Sequence, residues 1–271
     1  MSADIFAGQL ADPDLLAELY DLEHDEVSED LLFYRELAAR HRGATLDLGC
    51  GSGRLFATLL EGGARLIVGV DGSPALVRRA HARVAGDDRL RSAAAAGRIV
   101  LLDGDVRHLG SLHRSEKFAL VVAAGVLPHL DGPEEAMQML GGIRRLLAPD
   151  GRVVLDDVGP GLLPVRDLPL SVDWRRTLHG REVVRRSQLM RREAPEGLRV
   201  AFSTLVDVAQ ADGTIARLPA SHRLWYPYAD ALTSLVREAG LAVERAYGSH
   251  DLDPLEDDSE RRILVIRMAV G

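Results

Sequence analysis

Leu46-Asp47-Leu48-Gly49-Cys50-Gly51-Ser52-Gly53 reads as a strand running into a tight turn with glycine at alternate positions. A helix is predicted from about Arg54. A second apolar run, Ile67-Val68-Gly69-Val70, then ends in Asp71, 18 residues after Gly53. This order is the layout of a nucleoside-binding α/β half. Glycines let the backbone approach a ligand, and an acid at the tip of the next strand accepts hydrogen bonds from ribose hydroxyls. The glycine spacing is not the GxGxxG of dinucleotide sites. Asp47, two residues before Gly49, repels a pyrophosphate at short range and suits a ligand that carries a cationic amine.

On these residues the chain resembles the class I S-adenosylmethionine methyltransferases, whose first motif reads (V/L)-(L/D)-(D/E)-x-G-x-G-x-G. The resemblance implies S-adenosylmethionine as cofactor and S-adenosylhomocysteine as its product. It implies cofactor contacts at Asp47, Gly49, Cys50, Gly51, Gly53, Asp71 and Gly72. Two further segments fit. Residues 99–106 read as a strand ending in a Gly-Asp-apolar turn. The resemblance places Asp105 near the adenine amino group and the Val106 N–H against a ring nitrogen, while Asp103 reads as a surface turn residue. Residues 118–127 look like the fourth strand, and the resemblance lays 123–126, Ala124 among them, under the methionine part. Its motifs are specific from about 46 to 157 and looser elsewhere.

Composition narrows the possibilities. The chain has 271 residues, 46% of them hydrophobic, enough for a substantial core. Its formal net charge is −8, which argues against a nucleic-acid partner, since non-specific binding of DNA or RNA rests on basic surface. The single cysteine, Cys50, precludes a disulfide within one chain and suits a reducing compartment. It reads as structural or cofactor-adjacent. The acidic segment 1–22 lacks a basic, apolar signal pattern, and no run approaches a membrane span. A soluble, cytoplasmic protein is expected, as monomer or homodimer.

The fold class expected is α/β. A Rossmann-like sheet carries N-terminal helices and an antiparallel β insertion acting as a cap. Helical spacing covers 13–41, with Asp12-Pro13 as a start signal. Strands and helices then alternate: strand 45–49, helix 54–61, strand 66–71, helix 74–85, strands 98–103 and 118–123, helix 133–147, strand 151–157. Beyond Gly159-Pro160-Gly161 the pattern changes to three strands, 181–192, 198–209 and 215–225, joined by short turns. Helix 228–240 and strands 241–247 and 262–268 close the chain. The boundaries read are a helical lid at 1–42, a cofactor-binding core at 43–158, a cap at 159–226 and a completing unit at 227–271.

An insertion at this place resembles those of small-molecule N-methyltransferases: the amino-sugar N,N-dimethyltransferases of macrolide biosynthesis, and the glycopeptide-antibiotic and peptide N-terminal enzymes. The lead-in Tyr20-Asp21-Leu22 is similar to theirs, with a different continuation at Glu23-His24. In those enzymes a tyrosine of this segment closes over the cofactor. The resemblance therefore implies N-methylation of an amine on a small-molecule or peptide acceptor in natural-product biosynthesis. O-methylation of a small metabolite is the alternative enzyme, and a non-catalytic S-adenosylmethionine-binding partner the alternative of another class. His129, just beyond the fourth strand, His24 and Tyr20 are the candidate catalytic residues, and a structural histidine is the other reading of His129. Trp225, Tyr226 and Tyr228 form an aromatic wall or pack in the core. The fourth strand ends in Ala123-Ala124-Gly125-Val126 and lacks the Asn/Asp-Pro-Pro-aromatic motif of nucleobase and glutamine methyltransferases. No metal-ligand set is read, because Asp156 and Asp157 point to opposite faces of one strand. The arginines between 175 and 192 read mainly as solvent-facing.

Overall fold

The computed structural model describes residues 4–6, 8–9, 12–112 and 116–269. Its central sheet has the order β10-β11-β5-β4-β1-β2-β3. The parallel strands are β1 (Ala44–Leu48), β2 (Leu66–Asp71), β3 (Ile99–Asp103), β4 (Phe118–Ala124) and β5 (Leu147–Val158). The terminal strands β10 (Leu241–Tyr247) and β11 (Arg261–Met268) are antiparallel, with β11 paired to β5. β1 and β2 are buried along their whole length. Such strands read as unbroken apolar runs because helices cover both faces.

Those helices are α2 (Leu31–Arg40), α3 (Phe56–Glu61), α4 (Pro74–Gly86), α5 (Asp88–Ala95), α6 (Pro133–Leu146) and α7 (Ala229–Glu238), preceded by α1 (Pro13–His24). Local chemistry sets their starts. The Asp12 side chain caps α1 by accepting from the Asp14 N–H, and Pro13 needs no partner for a donor it lacks. Ser73 and Pro74 repeat the device at α4. Helix α5 explains the alanine-rich stretch: Asp87 caps it, and Leu90 and Ala93 are its buried residues.

The insertion forms a separate antiparallel sheet in the order β6-β7-β8-β9. β7 (Arg181–Ala194), β8 (Gly197–Ala209) and β9 (Ile215–Pro227) are the three expected strands, each extended by one or two residues. β6 (Leu168–Leu178) is a fourth that the sequence reading missed. Trp225, fully buried on β9, joins this sheet to the central core, packing with residues such as Leu140, Leu232 and Leu264. Tyr228 instead lies exposed, its hydroxyl donating to Glu193. The aromatic wall expected of Trp225, Tyr226 and Tyr228 thus reduces to Tyr226. The insertion's arginines are mostly tied down, as in Arg175–Glu182, Arg185–Asp173 and Arg186–Asp207. No helix among the described residues is long and apolar enough to cross a membrane.

Trp225→Ala should destabilise the chain by about 3–5 kcal/mol, the cost of emptying a large aromatic site. Guanidinium unfolding measures this. A loss below about 1 kcal/mol would mean that Trp225 does not anchor the second sheet.

Candidate active site

Strand order reverses between β1 and β4, since β2 and β3 lie on one side and β5 on the other. Crevices for ligands form at such a switch point, outside the carboxyl ends of the strands. A cavity of about 650 Å³ lies there. Gly49 and Gly51 line it after β1, Asp71 at the end of β2 and Gly72 after it, Asp105 and Val106 after β3, Ala124 at the end of β4, and Asp156 within β5 near its end.

The glycine turn is fixed from β2. The N–H groups of Gly49 and Cys50 both donate to the Val70 carbonyl, at 2.8 and 3.1 Å. The Gly51 N–H donates to Asp71 Oδ2 at 2.8 Å, and the Ser73 N–H to Asp71 Oδ1 at 2.8 Å. Gly51 has φ +55°, and a Cβ there would stand 3.1 Å from the Tyr20 hydroxyl. Both backbone shape and space therefore require glycine. Arg54, immediately after the turn, donates to the Val27 carbonyl at 3.0 Å and to Asp30 Oδ1 at 2.9 Å. It thereby holds the α1–α2 connection against the site.

Three of the residues expected around the cofactor do not line the cavity. The Cys50 sulfur faces the second core cluster, where a Cβ on Gly69 would meet it at 3.0 Å, and burial pushes its thiol well up. Gly53 is packed against the Phe56 ring. Asp47 lies within the sheet at 3% exposure and is not on the cavity wall. Burial pushes its carboxyl up to about 7, against the pull of Arg54. Asp103 is exposed, as read from the sequence.

Asp105 stands on the wall but is already engaged. Arg107 grips both its oxygens at 2.6–2.9 Å and reaches Glu135 at 2.6 Å. Partial burial opposes its charge, yet the hydrogen bonds and charge of Arg107 bring its carboxyl down to about 2. Tyr20 and His24 both line the cavity, with rings stacked 4.0 Å apart. Burial, helped by Asp71, raises the Tyr20 hydroxyl well above its ordinary range.

The far wall belongs to the insertion. Ser221, His222, Arg223, Leu224 and Tyr226 of β9 face Pro128, His129 and Leu130. His129 and His222 meet edge to face, ring centres 6.1 Å apart. Burial brings His129 down to about 4, and the neighbouring His222 adds to the shift. Burial also lowers His222, helped by Arg185. Both rings are therefore neutral at pH 7. Burial and nearby Asp157 push the Tyr226 hydroxyl up to about 12. At the mouth, the Gln9 side chain pairs with β9 like a short strand: it donates to the Ser221 carbonyl at 2.7 Å and accepts from the Ser221 N–H at 2.9 Å.

Sequence reasoning missed His222, His250 and Arg261 among the residues that line the cavity. It weighed Asp156 only as a metal ligand. The described residues contain no cluster of three or more His, Cys, Asp or Glu side chains placed to hold a metal ion. Asp156 instead accepts from Tyr34, His250 and Arg261.

These features define a nucleoside-binding site on a Rossmann-like sheet whose second wall comes from an inserted sheet. Residues 45–151 match the family model described as a methyltransferase domain. Two curated relatives match part of the chain. The mitochondrial ubiquinone biosynthesis O-methyltransferase of Dictyostelium discoideum is 22% identical over 48% of this chain and 39% of its own length. The tRNA U34 carboxymethyltransferase of Aeromonas hydrophila is 34% identical over 44% of this chain and 32% of its own length. The chain thus spans only about a third of the length of these relatives. Among solved structures, the CcbJ methyltransferase from Streptomyces caelestis has the same fold over the whole of both chains, with TM-score 0.77 and 20% identity. The sugar N-methyltransferase KedS8 from Streptoalloteichus sp. covers 92% of each chain, with TM-score 0.69 and 19% identity. The fold is that of the S-adenosylmethionine-dependent methyltransferases, and S-adenosylmethionine is the cofactor.

Asp71→Ala removes the acceptor of two backbone donors as well as the ribose acceptor that the resemblance implies. Loss of a hydrogen bond to a charged group costs about 1.5–3 kcal/mol, so calorimetry should record at least tenfold weaker S-adenosylmethionine binding. Gly51→Val should bind more weakly still. Unchanged affinity in both variants would place the cofactor elsewhere.

Asp47 supplies a pH prediction. Its folded pKa of about 7 exceeds the ordinary value of 3.8, so the folded state holds a proton that the unfolded chain has released. Its contribution is present below about pH 4 and is lost as pH rises toward 7. Asp47→Asn should flatten the fall in melting temperature over that window. An identical pH dependence in both proteins would mean that Asp47 is ionised throughout.

Proposed function

We propose that this chain is a methyltransferase that moves the methyl group of S-adenosylmethionine to an amine of a small-molecule or peptide natural product. One observation carries the reading: a single cavity runs from Asp71 and Asp105, past Ala124, to a wall built by β9. In this reading Gly49, Gly51, Asp71, Gly72, Asp105, Val106, Ala124 and Tyr20 hold the cofactor, and His24 backs Tyr20. The site fits that ligand. Each Asp71 oxygen takes one backbone donor and keeps a lone pair for a ribose hydroxyl. Asp47 lies directly beneath the turn, where an ammonium group above it favours the ionised carboxylate. The chain resembles in fold the sugar N-methyltransferase KedS8, which supports an amine acceptor.

S-adenosylmethionine, when bound, supplies a methyl group already activated by its positive sulfur. The chain's own residues then position the acceptor and exclude water, which accounts for much of the rate in such a displacement. Tyr20, clamped over Gly51, and the Gln9 clip on β9 close the site. The His129 and His222 rings of the acceptor wall are neutral at pH 7, and Arg223 beside them carries a positive charge. The neutral His129 is too weak a base for proton transfer, so its proposed task is to orient the acceptor.

S-adenosylmethionine and S-adenosylhomocysteine should each bind one per chain and raise the melting temperature, and NAD should do neither. Mass spectrometry on amino sugars, peptides and hydroxylated metabolites should show methyl gain on amines. NAD binding, or no S-adenosylmethionine binding, would sink the cofactor assignment. Methylation of hydroxyl groups alone would sink the amine reading. His129→Ala should raise acceptor KM with kcat and cofactor affinity little changed, and an unchanged KM would remove His129 from the acceptor site.

A further inference from the structure

We propose that His250, held by Asp156, is the group that takes the proton from the acceptor amine. The proposal rests on the transferase reading and adds a catalytic residue to it. His250 lines the cavity from the loop after β10. Its Nε2 lies 2.8 Å from Asp156 Oδ2. Asp156, 1% exposed, also accepts from the Tyr34 hydroxyl at 2.6 Å and from Arg261 Nε at 2.9 Å. Burial opposes charge at this carboxyl, but the His250 and Tyr34 hydrogen bonds and the Arg261 charge hold it below its ordinary range. An ionised carboxylate has no proton to give, so Nε2 carries the ring hydrogen. In the neutral ring the opposite nitrogen, Nδ1, keeps its lone pair, and it has no hydrogen-bond partner among the described residues.

The location matches the task. Asp156 pairs in register with Ala124, and the Gly125 N–H donates to the Asp156 carbonyl at 2.8 Å. The dyad therefore flanks the end of β4, above which the methionine part of the cofactor is expected. A histidine oriented by a buried carboxylate is a recurrent general-base arrangement. The step balances simply. The N–H bond of the acceptor ammonium breaks, its electron pair stays on nitrogen as the lone pair to be methylated, and the proton moves to Nδ1. The resulting imidazolium faces Asp156. The charged and titratable groups around His250 are Asp156 on β5, Tyr34 on α2, Arg261 on β11, Glu29 ahead of α2, and Asp251 and Asp253 in its own loop.

The test uses the full chain with ¹⁵N-labelled histidine and bound S-adenosylhomocysteine, with His250→Gln to assign the resonances. Nitrogen NMR at pH 7.5 should show His250 as the Nε2–H tautomer, and Asp156→Asn should shift that tautomer balance. With an amine acceptor from the panel, His250→Gln should lower kcat by about 10²–10⁴-fold, the usual span for a general base. It should also abolish the acid limb of the pH profile, while cofactor affinity stays within about twofold. An Nδ1–H tautomer in the wild type overturns the proposal, and so does wild-type kcat in His250→Gln. Failure of the transferase reading looks different: no amine gains a methyl group in the wild type, whatever the tautomer.

Discussion

A single carboxylate ties the cofactor end together. Asp71 receives the Gly51 N–H on one oxygen and the Ser73 N–H on the other. These two turns leave different strands and start different helices, so Asp71 sets their separation. It is 7% exposed, and burial, the largest influence, pushes its pKa up. Two backbone donors offset that cost, as buried charge requires. The shape of the glycine turn, the closeness of Tyr20 to Gly51 and the start of α4 all follow from this arrangement.

A second constraint acts on the acceptor side. The inserted sheet is large, yet its hold on the central core runs through few side chains. Trp225 enters the core, while Leu198, Val200 and Tyr226 form a small cluster of their own. α1 packs against the insertion through Leu19, which shares a cluster with Leu178, Val183 and Val206. The elements that close over the cavity are therefore mutually supported, with α1 touching both the sheet above and α4 below.

Much of this was legible in the chain because the signals are local. The glycine turn, the acid after β2 and the caps at Asp12 and Ser73 each need only a few neighbouring residues. β6 escaped because Pro164 and Pro169 read as breaks and its alternating Leu168, Leu170 and Val172 face outward on an edge strand. Proline is tolerated at such an edge. Cys50 and Gly53 sit within the motif, yet the motif fixes backbone shape without fixing which side chains meet a ligand. The Asp156–His250 contact spans 94 residues of sequence. It joins β5 to the loop between β10 and β11, a juxtaposition that no local pattern encodes. Trp225 and Tyr226 are adjacent in sequence and serve opposite faces, so a composition-based aromatic cluster could not be divided between them.

That division gives β9 an unusual sensitivity. His222, Leu224 and Tyr226 share one parity and line the cavity with Ser221 and Arg223, while Trp225 takes the other parity and enters the core. Side chains alternate with period two, so inserting or deleting one residue exchanges the two sets. An aromatic wedge would then fall into the acceptor's space, and a histidine and a tyrosine would be driven into the packed interior. Drift in acceptor preference along this strand is thus open to substitution and closed to changes of length. Diversification of the wall then proceeds by substitution at positions such as 222, 224 and 226, with the hairpin turns absorbing any added residues.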